Sequence, residues 1–125
     1  MKIEGKRVIL RNWSLSDAKE LKGVVQDKEI PRFTRVPVPY KLNDAKKFIR
    51  ECKEKGKKKI EIGFAIVEKK NKTIVGSLGI MKINKQCKKA ELGYLLGKEH
   101  RGQGFIAEAV RLALGFCFGK LKLNR

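Results

Sequence analysis

Acidic residues are scarce in this chain. Only 13 of its 125 residues are Asp or Glu, against 31 Lys or Arg, and the resulting net charge of +18 disfavours cationic partners and favours polyanions. Histidine occurs once, as His100, and no metal site is expected. A single histidine in a turn reads as a candidate base or as a surface or supporting residue. The three cysteines, Cys52, Cys87 and Cys117, are odd in number and widely separated, which excludes a disulfide framework and a paired zinc motif and fits a reducing compartment. Cys52 and Cys117 fall on apolar helix faces and read as small buried hydrophobes rather than nucleophiles. Aromatic residues make up 7%, too few for an RNA-stacking strip; Phe33 and Tyr40 alone do not supply one. No apolar run approaches the roughly 18 residues of a membrane span, and Met-Lys-Ile-Glu-Gly-Lys-Arg at the start lacks a signal-peptide core, so no membrane contact and a cytoplasmic location are expected.

What remains is the composition of a folded protein. Hydrophobic residues reach 42% and charged residues 35%, and the length suits one domain over residues 1–125. Basic charge is densest between Lys41 and Lys59, with nine basic and three acidic residues, either a solvated surface or a patch for a polyanion.

Val8 to Arg11 predicts a first strand, and Ser14 with Asp17 three residues later a capped helix through Ala18, Leu21, Val24 and Val25. Pro31, Pro37 and Pro39 confine 31–40 to loop or extended chain, bringing Phe33 and Tyr40 towards a cleft rim. Asn43 can cap a second helix whose Ala45, Phe48, Ile49 and Cys52 share one face. Ile62 to Val67, Thr73 to Ile83 and Ala90 to Leu96 then read as three strands with short polar connections, an antiparallel meander rather than βαβ units. Gly93 marks an expected bulge that splays the last strand. From Phe105 the pattern is helical and apolar nearly all round, with Gly115 and Gly119 weakening its last turns.

His-Arg-Gly-Gln-Gly-Phe, residues 100–105, joins that strand to that helix. A helix amino end binds anions when the backbone can approach closely, which Gly102 and Gly104 permit, although an ordinary strand-to-helix turn also uses glycine. The segment from Ala90 to Ala109, Ala-Glu-Leu-Gly-Tyr-Leu-Leu-Gly-Lys-Glu-His-Arg-Gly-Gln-Gly-Phe-Ile-Ala-Glu-Ala, closely resembles the cofactor-binding core of the GNAT superfamily of N-acetyltransferases, nearest its ribosomal-protein-alanine branch. The signature of Gln or Arg, two residues, Gly, one residue, Gly or Ala falls on Arg101, Gly104 and Ile106; the isoleucine departs from it. The opening Arg-Val-Ile-Leu-Arg-Asn-Trp-Ser-Leu-Ser-Asp-Ala, residues 7–18, resembles the branch's first strand and helix.

The resemblance implies an α+β fold, a mostly antiparallel central sheet flanked by helices, here lacking the C-terminal strands and helix usual in the family, hence an incomplete domain. It implies acetyl coenzyme A as cosubstrate, its pyrophosphate held by backbone amides of Arg101, Gly102, Gln103, Gly104, Phe105 and Ile106, and its pantetheine arm beside Leu95 and Leu96. Arg101's side chain either joins that site or is a solvated turn arginine. Glu91 is the candidate catalytic base, acting through water, or else a surface glutamate. Tyr94 and Tyr40 read as packing or loop residues rather than general acids. The expected acceptor is an amine, by resemblance a protein amino terminus such as that of a ribosomal protein, with rRNA contact through the lysines and self-association through an open sheet edge. Two alternatives are a small-molecule amine acetyltransferase and a non-catalytic basic binding module.

Overall fold

The computed structural model describes residues 2–25, 41–58, 61–84, 89–97 and 102–119. Five strands form one antiparallel sheet in chain order: β1 (Lys2–Glu4), β2 (Val8–Asn12), β3 (Ile62–Glu68), β4 (Thr73–Asn84) and β5 (Lys89–Leu96). Among the described residues, three helices flank it: α1 (Ala18–Val25), α2 (Leu42–Lys57) and α3 (Phe105–Gly119). This is the expected α+β arrangement, with a short turn joining β3 to β4 while α1 and α2 lie in the long connection between β2 and β3.

Alternation along the strands sorts side chains onto two faces, each with its own core. Val8, Leu10, Phe64, Ile66, Val75, Leu78 and Ile80 meet α3 through Phe105, Ala109, Ala113, Phe116 and Cys117. Ala65, Val67 and Ile74 meet α1 and α2 on the other face, with Trp13, Leu21, Ala45 and Ile49. Edge-on aromatic contacts bind each layer, Phe64 to Phe116 with centroids 6.0 Å apart and Trp13 to Phe48 at the same distance.

The first helix begins as expected. Leu15–Asp17 form a 3-10 turn, Ser14 N donates to Asp17 Oδ2 at 2.8 Å, and α1 follows. Asp17 is buried, yet it also receives Arg11 through a two-pronged contact of 2.8 and 3.0 Å. The second helix corrects its expected cap: Lys41 occupies the capping position, its N–H donating to Asp44 Oδ2 at 2.8 Å, and Asn43 lies inside the first turn. The Asp44 carboxylate also stands in the first turn, where the positive end of the helix dipole favours it.

Helix α3 is less buried than its composition suggested. Ala107, Arg111, Leu114, Gly115 and Phe118 form an exposed face. Among the described residues no helix is long and apolar enough to cross a membrane.

Candidate active site

Strand β5 delivers the chain to the glycine turn. Gly97 N donates to Val75 O at 2.9 Å, closing the β4–β5 ladder at the end where the turn begins. By antiparallel alternation, the main-chain groups of Leu92, Tyr94 and Leu96 then point away from β4, along the outer edge of β5. Gly76, opposite Leu96, allows this close approach, because a side chain there would strike the Leu95 carbonyl and Leu96.

Gly102 and Gly104 both lie in the left-handed region, with φ of +78° and +80°, where an L side chain is strained. A Cβ at Gly102 would meet nothing within 4 Å, so the turn is open on that side. Glu108 N makes the first intrahelical bond, to Gly104 O at 3.2 Å, and the amides before it point out of the helix end. Their positive end of the helix dipole suits an anion, and the open glycine backbone gives a phosphate room to approach. Ile106, the departure from the family signature, packs towards the α3-side core and not into the turn. Phe105 is likewise buried, so both residues present backbone, not side chain, at the helix end.

The turn is braced from the far end of the sequence. Glu108 is buried, and its Oε2 accepts N–H bonds from Arg7 and Val8, each 2.8 Å long. Burial alone would raise this carboxyl; the Arg7 and Val8 amides, aided by the Arg111 and Arg7 charges, hold it below its ordinary value. Gly5 makes the contact possible, since a Cβ there would collide with that same oxygen. Arg7 also donates through Nη1 to Gln103 O at 2.5 Å, and its guanidinium carbon lies 4.6 Å from the Phe105 ring centroid. The roles of Arg7 and Glu108 escape sequence reasoning because about a hundred positions separate them. One signal was available: Glu108 is a lone acid on the apolar stripe of its helix.

Glu91 lies on the face of β5 that looks to α1 and α2, opposite Met81, exposed and 3.3 Å from Lys82 Nζ. Leu95 is half-buried and packs with the core on that face; Leu96 is buried on the α3 side. The bulge expected at Gly93 is absent: Gly93 pairs in register with Gly79, and its missing side chain accommodates Met81, whose Cε would be 2.5 Å from an added Cβ. Bulges occur instead at Ile66/Val67, where β4 carries an extra residue, and after Met81, where Lys82 adopts a φ of 51°. Tyr94 is 57% exposed, which overturns its reading as a packing residue. Cys52 and Cys117 sit in the two cores, and burial pushes the Cys52 thiol up to about 12 and raises that of Cys117. Arg101, His100, Phe33, Tyr40 and Cys87 lie outside the described residues. Among the described residues no cluster of His, Cys, Asp or Glu could hold a metal.

Comparison with known proteins gives this geometry its context. The profile of the acetyltransferase (GNAT) domain matches residues 7–125. The uncharacterized N-acetyltransferase p20 of Bacillus licheniformis is 29% identical over 119 residues, which cover 95% of this chain and 67% of the relative. Among solved structures, a proposed ribosomal-protein-serine acetyltransferase of Vibrio cholerae superposes with a TM-score of 0.88 and 27% identity, over 98% of this chain and 70% of the other. The fold is shared also by the microcin C7 self-immunity acetyltransferase MccE, determined with acetyl coenzyme A and AMP, at a TM-score of 0.79 and 21% identity, over 95% and 66% of the two chains.

Proposed function

The chain belongs to the acetyltransferase (GNAT) family, and on that premise we propose that it acetylates a protein amino terminus, with the glycine turn holding the pyrophosphate of acetyl coenzyme A. The observation that carries this reading is the pair of left-handed glycines opening α3 at the end of β5. The fit is favourable: the turn is open at Gly102, Ile106 packs away from it, and the outward amides suit phosphate oxygens. Amides of residues 101–106 would hold the pyrophosphate, with the Arg101 side chain a further candidate contact.

Leu95 and Leu96 would border the pantetheine arm, which runs along the outer edge of β5. From Leu96 back to Glu91 the strand covers about 17 Å, a length comparable with an extended pantetheine. Glu91 therefore falls near the reacting end of a molecule anchored at the turn. Bound acetyl coenzyme A supplies the acetyl group as a thioester, open to direct attack by a neutral amine. As the new C–N bond forms, the thioester C–S bond breaks and coenzyme A leaves as a thiolate that takes its proton from solvent. Glu91 would accept the proton that the amine loses, directly or through a water, which requires it to exchange its Lys82 contact for the acceptor.

A peptide acceptor is favoured over a small polyamine by the likeness to the Vibrio cholerae protein and by charge, since +18 repels a free polycation. The exposed Lys47, Arg50, Lys53 and Lys57 of α2 would give ribosomal RNA a place to rest beside a nascent or ribosomal protein.

Titrating acetyl coenzyme A while following the unfolding midpoint tests the site, because a ligand specific to the folded chain must raise it. The parent should show a saturable rise and Gly104→Val none, with its fold confirmed by circular dichroism. An acceptor panel then tests the reaction: peptides with ribosomal-protein amino termini should outpace polyamines, and Glu91→Gln should cut turnover by about a hundredfold while retaining coenzyme A binding. No midpoint rise in a folded parent, or preference for polyamines, would overturn the corresponding half of the proposal.

A further inference from the structure

Arg7 stands about a hundred residues before the glycine turn, yet it touches that turn with its main chain and side chain together. Its N–H is held by Glu108, its guanidinium lies over the Phe105 ring, and its Nη1 bonds Gln103 O. The same nitrogen is 3.3 Å from where a Cβ on Gly104 would stand. The anion-binding reading rests on the backbone amides of the turn and assigns the Arg7 side chain no contact with the phosphate.

Peptide geometry supplies the link. The Gln103–Gly104 peptide is planar and trans, so its C=O and N–H point in opposite directions. Glycine tolerates both signs of φ, and a peptide joined to one can rotate its plane at little steric cost. In one orientation the Gly104 N–H faces a bound phosphate; in the other the Gln103 carbonyl does, presenting the negative end of its dipole. A charge-assisted bond from Arg7 to the Gln103 carbonyl selects the first.

We propose that Arg7 is a positioning residue for cofactor binding: it fixes the Gln103–Gly104 peptide plane with the carbonyl towards the β1–β2 turn and the Gly104 N–H towards the phosphate. The inference rests on the glycine turn being the pyrophosphate site. The planar guanidinium suits the task better than an ammonium would, because its contact with the Phe105 ring and its rigid fork together limit the direction in which Nη1 donates. Charge alone is therefore not what the position supplies.

The test compares the parent with Arg7→Lys, Arg7→Gln and Lys6→Gln, the last removing an exposed charge from the same turn. All variants keep the Arg7-position N–H that binds Glu108, and unfolding midpoints confirm that they fold. Calorimetric titration with coenzyme A should show both Arg7 variants weakened about tenfold and Lys6→Gln by less than about twofold. In steady state the Arg7 variants should raise KM for acetyl coenzyme A and leave kcat nearly unchanged. NMR of the unliganded Arg7 variants should show the Gly104 amide broadened or doubled by exchange of the peptide plane.

Arg7→Lys binding as tightly as the parent while Arg7→Gln is weak would assign the effect to charge and overturn the peptide-plane role. Parent-like affinity in both would remove Arg7 from the site and leave the pyrophosphate reading intact. A folded parent that binds no coenzyme A would overturn that reading, and this inference with it.

Discussion

A buried carboxylate at Glu108 links two distant parts of the chain through single atoms. Its Oε2 takes the N–H groups of Arg7 and Val8, the second of which is fully enclosed, so removing the acceptor leaves a donor with nowhere else to bond. Because the folded-state carboxyl is held below its ordinary value of 4.5, its stabilisation is complete above that value and is lost as pH falls through the lower folded value. Asp17 behaves with the same sign: burial would raise it, but Arg11 and the Ser14 amide hold it below 3.8. Glu108→Gln keeps one acceptor but replaces the other oxygen with donors, and should cost about 1–2 kcal/mol, a fall of about 5 °C in the neutral-pH midpoint. It should also flatten the acid limb of the midpoint-versus-pH curve, leaving the part due to Asp17. A variant with the parent's midpoint and acid limb would show that Glu108 does not brace the turn.

Glycine means something different in each element that contains it, and this decides how far each element could be read in advance. In α3, Gly115 is exposed and an added Cβ would meet nothing within 4 Å, so only intrinsic helix preference is at stake. Gly115→Ala should therefore stabilise the chain by up to about 1 kcal/mol, read as a midpoint raised by a few degrees, and a lowered midpoint would refute it. Gly5 is the reverse case, its bare backbone admitting the Glu108 carboxylate. The periodicity of Ala45, Phe48, Ile49 and Cys52, and the polar break after Glu68, made α2 and the β3–β4 hairpin legible, since these patterns are local. Gly93 was not legible: a glycine inside a strand is compatible with a bulge or with a neighbour's side chain crossing over it, and only tertiary contact with Met81 decides. The glycine turn itself was visible as a pattern of residues 102–106, while its brace depends on contacts between chain ends. Short β1 escaped because Lys2–Glu4 has little alternation to detect.

At the scale of the whole molecule, +18 is a field rather than a set of contacts. Four ion pairs are formed among the described residues: Lys2–Glu4, Arg11–Asp17, Lys55–Glu61 and Lys82–Glu91. All but Arg11–Asp17 have a lysine side chain at least 45% exposed, and exposed pairs of this kind contribute little. With 31 basic groups against 13 acidic ones, mutual repulsion outweighs these attractions, so the folded chain is under electrostatic strain that salt relieves. The same salt screens the attraction that draws coenzyme A phosphates or RNA to the surface. One cause thus has two effects of opposite sign: raising sodium chloride from about 0.05 M to about 0.5 M should raise the unfolding midpoint while weakening coenzyme A binding severalfold and RNA binding far more steeply. A midpoint that falls with salt would mean that the few ion pairs, Arg11–Asp17 foremost, outweigh the net charge. Coenzyme A affinity indifferent to salt would mean that the backbone amides of the turn bind the anion with no help from the field around them.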